Sequence, residues 1–355
     1  MHLKKVNSFE IKLDLSDVLR NITKESQYTI PIFIPHLGCR NECVFCNQRK
    51  ISGSIKQEPV DNVENIIEKH LKYFRNIKDK KIEIAFFGGS FTGINIKRQV
   101  EYLEAANKYI KSGKVDSIRI STRPDYISVN ILKLMKKYNV KTIELGVQSL
   151  DNNVLIASKR GHLKKDVIRA SKLIKLFGIN LGHQIMLGLP ESTANIELYT
   201  IDEVIKLKPT QLRIYPVYVI EPSELYDMYL DGRYNPLTLD EAINRTYSIV
   251  KKCQETNIKI IRIGLQSTEI ITSKNDSIVG PVCDNFGEYV IAKIVKEKVE
   301  EEIGKITLGN NDNEWNDINI LTEKKYASFI IGPKKVNKLY FKDKYNVNLK
   351  IRYID

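Results

Sequence analysis

Disulfide frameworks, membrane spans and low-complexity segments are all missing from this 355-residue chain. Its five cysteines are odd in number and three fall within eight residues, which argues against paired thiols. With 18 glycines and 11 prolines it is neither collagenous nor a Gly/Pro-rich linker, and 42% hydrophobic with 28% charged residues excludes a wholly disordered chain. No apolar run reaches the roughly 18 residues that a bilayer requires. Acids interrupt the first apolar stretch, MHLKKVNSFEIKLDLSDVLR, before a signal-peptide core forms, so a cytoplasmic protein with no membrane partner and reduced thiols is expected. Acidic residues are also short: 43 Asp and Glu against 56 Lys and Arg leave a formal charge of +13. Such a surplus favours a polyanionic partner such as RNA, although a Lys-, Ile- and Asn-rich composition produces it without one.

What is present is a regular alternation. Six β-branched runs read as strands: Tyr28 to Pro35, Ile82 to Phe87, Ser117 to Ser121, Thr142 to Val147, Asn180 to Leu187 and Gln211 to Val217. Between them, Val60 to Phe74, Ile96 to Ile110, Val129 to Tyr138, Lys165 to Phe177 and Ala194 to Leu207 have helical period. Strand followed by helix predicts a parallel sheet whose ligands gather at the C-terminal strand edge. The spacing leaves an open doubly wound sheet and a partial barrel both available. After Pro222 the pattern changes: Leu239 to Glu255 reads helical, Ile258 to Ile263 extended, and Glu288 to Glu302 as a charged amphipathic helix.

The loop after the first strand reads Gly38-Cys39-Arg40-Asn41-Glu42-Cys43-Val44-Phe45-Cys46-Asn47. Three thiols at intervals of three and two residues wrap a loop around one metal centre, and the remaining cysteines, Cys253 and Cys283, are distant in sequence. A fourth ligand would close a zinc site; three ligands for four irons leave one iron open to chelate the amino and carboxylate groups of S-adenosylmethionine. This CxxxCxxC, with Phe45 before its last Cys, resembles the signature of the radical S-adenosylmethionine (SAM) superfamily, implying a [4Fe-4S] cluster and SAM as cofactors. Phe87-Gly88-Gly89-Ser90-Phe91-Thr92-Gly93 stands where that superfamily has a two-glycine loop for the methionine amino group.

Further blocks follow in order: Ser121-Thr122-Arg123-Pro124-Asp125, Gly146-Val147-Gln148-Ser149-Leu150-Asp151, Arg160-Gly161-His162 and Gln184-Ile185-Met186-Leu187-Gly188-Leu189-Pro190. Over roughly residues 28 to 290 they resemble the radical core of the Elongator catalytic subunit family, which modifies the tRNA wobble uridine, and its shorter bacterial relatives. The resemblance implies a partial (β/α)6 TIM-like barrel over 28–255, an N-terminal segment 1–27 and a small C-terminal α/β extension over 256–355. It implies that Cys39, Cys43 and Cys46 bind the cluster, that Gln148 and Gln184 contact the ribose, and that Arg160 pairs with the methionine carboxylate. Thr122, Arg123 and Asp125 are candidate substrate contacts, and a low-potential electron donor such as flavodoxin or ferredoxin is implied. Ser121 departs from the Glu that many relatives carry. Oxygen-independent coproporphyrinogen oxidases share several blocks but usually have a fourth Cys where this chain has Gln48. A cluster- or zinc-stabilised RNA-binding protein without turnover is the non-catalytic alternative.

No glycine-bearing acetyl-CoA loop occurs after Gly280, so an acetyl donor is expected from another protein, or the reaction differs. Instead, Lys324 to Arg352 holds nine Lys or Arg and one acid, Asp343, interleaved with Tyr326, Phe329, Tyr340, Phe341, Tyr345 and the adjoining Tyr353. Cations and rings of this kind suit an RNA surface, and equally a small sheet with rings inside and lysines outside. Cys253 reads as a core thiol; Cys283 reads as a turn residue near the barrel mouth, either a hydrogen-atom donor or metal ligand or a plain buried thiol, and His36 and His183 flank strand ends, where each either faces the cofactor or is a hydrogen-bonded structural histidine.

Overall fold

The structure, a computed structural model, describes residues 8–22, 27–34, 38–39, 43–46, 60–74, 80–265, 277–307 and 316–354. After β1 (Ser8–Lys12) comes the first strand of the main sheet, β2 (Gln27–Ile34), then β3 (Lys81–Gly88), β4 (Ser117–Thr122), β5 (Val140–Gln148), β6 (Asn180–Leu187) and β7 (Gln211–Pro216). A two-residue β8 (Val219–Ile220) precedes the last, β9 (Lys259–Ile263), and pairs antiparallel with the equally short β10 (Ile278–Val279). Seven strands, β2 to β7 and β9, lie side by side in chain order and all pairings are parallel. A parallel pair cannot be joined by a tight turn, so a crossover returns the chain each time. Right-handed crossovers between sequential neighbours put the crossover helices on one face, and the sheet curls away from them into a half-barrel.

Alternation divides each strand. Ile30, Ile32, Ile34, Ile84, Phe86, Ile118, Ile120, Ile143, Leu145, Leu212 and Ile214 are buried in one core with the helices. The helices begin where capping chemistry allows: Thr238 Oγ1 accepts from Glu241 N at 3.3 Å while Glu241 Oε2 accepts from Thr238 N at 2.8 Å, opening helix Leu239–Gln254.

The partial barrel is as expected, with a seventh strand in place of six. The expected extension starts at 256 and so takes in Ile258 to Ile263, but helix Leu239–Gln254 serves as one more crossover and β9 pairs with β7 from Gln211↔Lys259. The sheet therefore passes residue 255. Nor is 1–27 a separate segment: β1 lies parallel to β11 (Asp317–Thr322), which pairs with β12 (Asn348–Tyr353) in a three-stranded sheet.

Helix Phe286–Thr307 joins the two units and differs from the one-faced helix expected there. Phe286, Val290 and Ile294 are buried in the barrel core, whereas Val295, Val299 and Ile303 belong to the core of the small sheet. A helix buried on two sides carries apolar residues around its circumference. In the tail, Tyr326 and Phe341 are buried and Phe329 and Tyr340 pack against that second core, so these rings are structural; Tyr345 and Tyr353 are exposed.

Candidate cofactor and substrate site

The loops after β2 and β3 meet backbone to backbone. Gly38 has φ +75°, and a Cβ there would run into the Ser90 carbonyl oxygen and stand 2.7 Å from Gly93 C. A Cβ on Gly93 would run into the Gly38 carbonyl oxygen and stand 2.7 Å from the Tyr126 ring. Only glycine permits this approach. Gly89 N donates to Ile34 O at 2.9 Å, fixing the Gly88-Gly89-Ser90 loop to the first strand, and Gly88 itself has φ +101°. Cys39 Sγ lies 3.2 Å from the buried Ser90 Oγ.

The other two cysteines are held by the apolar residue between them. Cys46 N donates to Cys43 O at 2.9 Å, Val44 N to Ser158 O at 3.3 Å, and Leu225 N to Val44 O at 2.8 Å. Val44 is buried with Val154, Leu189, Val217 and Leu225, and Phe45 packs against the same cluster. Sequence reasoning missed Val44 as an anchor; an aliphatic residue in an otherwise polar cysteine loop is the signal that was available.

Arg160 crosses from the segment after β5 to this loop. Its Nη1 donates to Cys43 Sγ at 3.0 Å, its Nη2 to Gly146 O at 2.8 Å, and its guanidinium stands 6.0 Å from the Phe45 ring centroid. The side chain is buried, yet Nε has no hydrogen-bond partner among the described residues. Arg123 forms a two-point pair with Asp125, Nε to Oδ1 at 3.0 Å and Nη2 to Oδ2 at 3.2 Å, and its guanidinium carbon lies 5.4 Å from the Tyr126 centroid. Burial opposes the Arg123 charge, but Asp125 outweighs it and, with a further attraction from Cys43, holds its pKa above the ordinary value. Arg123 Nη1 is likewise buried without a partner among the described residues.

Gln148 takes φ +66° at a point where the β5–β6 register shifts between Gly146 and Gln148, and its Oε1 accepts from Gln184 Nε2 at 3.3 Å. The bulge re-aims Gln148 toward Gln184. Thr122 Oγ1 lies 2.7 Å from Thr92 Oγ1, joining β4 to the glycine loop. His162 Nε2 is 3.4 Å from Val147 O; burial, then the positive charges of Arg160 and Arg123, push its pKa down to about 3 and keep the ring neutral.

Below this mouth the concave face carries an ionic layer. Glu83 Oε2 accepts from Arg119 Nε at 2.6 Å, and Arg119 Nη1 reaches Glu144 Oε2 at 3.2 Å and Gln211 Oε1 at 2.6 Å. Arg213 Nε lies 2.6 Å from Glu144 Oε1, two strands away. The strand between contributes Gly182, where a Cβ would stand 3.3 Å from Glu144 Cγ. Among the described residues, two carboxylates and two guanidinium groups thus meet at the half-barrel floor.

Cys39, Cys43, Cys46, Phe45, Gly88, Gly89, Ser90, Thr122, Arg123, Asp125 and Gln148 end or follow strands of the one sheet, Gln184 lies within β6, and Arg160 follows the helix Asn152–Ala157 after β5. Among the described residues no three His, Cys, Asp or Glu side chains stand close enough together to hold a metal ion. His183 is not at the mouth: its Nε2 is 2.9 Å from Ser171 Oγ, on the helix side of the sheet. Cys253 is a core thiol, as expected, and burial pushes it up to about 12. Burial also raises Cys283, which adjoins Tyr218. Gln48 and His36 lie outside the described residues.

Comparisons with known proteins point one way. The family model described as the radical SAM superfamily matches residues 33–199, and the radical SAM C-terminal domain model matches 209–296. An uncharacterised protein of Methanocaldococcus jannaschii is 30% identical over 237 residues, covering 64% of this chain and 71% of its own. The tRNA uridine(34) acetyltransferase of Methanocaldococcus infernus is 30% identical over 230 residues, 59% of this chain and 43% of that protein. This chain therefore spans less than half the length of that relative. Among solved structures, the archaeal Elp3 of Methanocaldococcus infernus with residues 1–46 deleted superposes with a TM-score of 0.62 at 27% identity, over 79% of this chain and 64% of that one.

Proposed function

The chain belongs to the radical SAM superfamily, and on that premise we propose that it is a cytoplasmic enzyme that cleaves S-adenosylmethionine reductively and uses the radical to modify a tRNA base, the wobble uridine being the target. The tRNA assignment draws on the relative named for uridine(34). The donor set suits an iron-sulfur cluster: three soft thiol ligands, Cys39, Cys43 and Cys46, on one loop, which leave one iron of a [4Fe-4S] cluster open. When bound, the cluster and SAM supply one-electron cleavage of the sulfonium to a 5'-deoxyadenosyl radical, with the electron from a flavodoxin- or ferredoxin-type donor.

The chain's own residues do the rest. Gly88 and Gly89 would let the backbone approach the methionine amino group, with Ser90 beside them. Gln148 and Gln184, already hydrogen-bonded to one another, would turn their remaining amide groups to the ribose. Arg160 would receive the methionine carboxylate, and this is the observation that carries the reading: a buried guanidinium touches Cys43 and the end of β5 at once, with Nε unspent on any described residue. Neutral His162 beside it adds no competing cation. Thr122, Arg123 and Asp125 would face substrate, with Arg123 near the same Cys43 and His162 that Arg160 approaches.

The test is anaerobic iron and sulfide content, with 5'-deoxyadenosine followed by mass spectrometry after SAM and dithionite, in wild type and Cys43→Ala, without and with bulk tRNA. About four irons, cleavage lost in the variant and a mass change in tRNA are expected. Bound zinc without cleavage would leave an RNA-binding module as the better reading.

A further inference from the structure

The concave face holds an aromatic layer that the mouth does not use and that meets the ionic floor at Arg213. It lies just above the floor, on β2, β3 and β7. Phe33 is 37% exposed although it sits in the main sheet, and its ring centroid is 6.3 Å from that of Phe87 on the adjacent strand. Across the face, the Arg213 guanidinium carbon is 5.4 Å from the Phe87 centroid and its Nη1 donates to Tyr215 Oη at 3.2 Å. Arg213 is thus held from below by the Glu144 ion pair and from the side by Tyr215, with its guanidinium carbon over the Phe87 ring. Fixed planar donors beside ring faces are recognition elements for flat heteroaromatic groups.

We propose that Phe33, Phe87, Tyr215 and Arg213 form the seat for a single pyrimidine ring bearing a carbonyl opposite its sugar, with Arg213 as the specificity-determining donor to that oxygen. The seat rests on the RNA-modifying reading and names its substrate contact. A neutral carbonyl is favoured over a carboxylate because the Arg213 charge is already matched by Glu144; a second anion would meet a neutral pair, whereas a carbonyl needs only an N–H. Uracil presents an acceptor at this edge and cytosine an amino donor, so the same guanidinium accepts one base and rejects the other. A paired base cannot reach a wall inside a half-barrel, so the ring must come from a loop or be turned out of its stack.

The experiment measures, by anaerobic fluorescence anisotropy, binding of an RNA hairpin with a single loop uridine, and of the same hairpin with cytidine or an abasic site there. Uridine 5'-monophosphate alone is followed by saturation-transfer NMR. Wild type should favour uridine over cytidine and abasic hairpins by roughly tenfold. Arg213→Lys keeps the charge beside Glu144 but loses the planar fork, and should reduce the uridine preference to under about twofold with abasic affinity unchanged. Phe33→Leu, at an exposed position, should weaken both pyrimidine hairpins several-fold without changing their ratio. Uridine preference that survives Arg213→Lys and Tyr215→Phe would overturn the seat while leaving the RNA reading in place. Arg213-dependent binding of the mononucleotide with no binding of tRNA would do the reverse. Displacement of the mononucleotide by a tetracarboxylate porphyrin at lower concentration than by uridine would overturn the pyrimidine assignment.

Discussion

Replacing Arg119 with Met tests the ionic floor. The side chain is fully buried and supports Glu83, Glu144 and Gln211 at 2.6, 3.2 and 2.6 Å. Methionine fills much of the same volume, so the lost packing is small; the cost is electrostatic. Two buried carboxylates would remain against one guanidinium, Arg213, which already lies on Glu144, and Glu83 would lose its guanidinium partner. Breaking a buried pair by removing one member costs about 3–5 kcal/mol, because the other charge stays desolvated. Urea unfolding followed by far-ultraviolet circular dichroism at pH 7 should show a loss of that size. The double variant Arg119→Met with Glu83→Gln removes the stranded charge and should recover at least about half of it. A single-variant loss below about 1 kcal/mol, in the range of an exposed pair, would refute the argument, as would a double variant no more stable than the single.

Three further outcomes follow from the geometry. Gly93→Ala forces a methyl into the Gly38 carbonyl and the Tyr126 ring, so iron retained after anaerobic reconstitution should fall to roughly a tenth of wild type with the circular dichroism spectrum unchanged; full iron content would show that the two loops separate freely. His162 and His183 are held neutral by burial, each with a pKa pushed down to about 3, so stability is complete above the unfolded value near 6.5 and declines as pH falls toward 3. Each should cost about 2 kcal/mol between pH 7 and pH 5, and His183→Asn should remove its share of that slope; parallel pH curves for variant and wild type would show the assignment to be wrong. The Cys253 thiol, pushed up to about 12 by burial, should resist a disulfide reagent at pH 8 in the folded protein and react on unfolding; fast modification before unfolding would contradict it.

The strands that bury one face against helices were readable from short apolar runs bounded by turn residues: Asn180–Leu187 and helix Ala194–Leu207 occur with the bounds their pattern predicts. The cysteine loop was readable because its ligands are adjacent in sequence. Partnerships were not. Ile258 to Ile263 has the same pattern whether it extends the main sheet or starts another, and only the crossover by helix Leu239–Gln254 decides. Glu83, Arg119, Glu144 and Arg213 each sit alone on a different strand, where an isolated charge reads as solvated; their mutual burial exists only once the sheet curls. The Gly38–Gly93 approach and the Arg160–Cys43 contact likewise join residues far apart in sequence. The tail's rings and lysines were compatible with two surfaces, and the hydrophobic cluster around Ile318, Ile320 and Phe341 put most of the rings inside.

The pairing of β1 with β11 sets a timetable for biosynthesis. A ribosome that has made β1 must add roughly 300 more residues before the strand opposite it exists, since Ser8 registers with Asp317. Through that interval the half-barrel can assemble from near neighbours, strand by strand, while an early strand with Phe9 and Ile11 on its inner side waits without its sheet. The small unit is therefore the last to close, and nascent chains stalled before residue 317 should be the ones that chaperones hold.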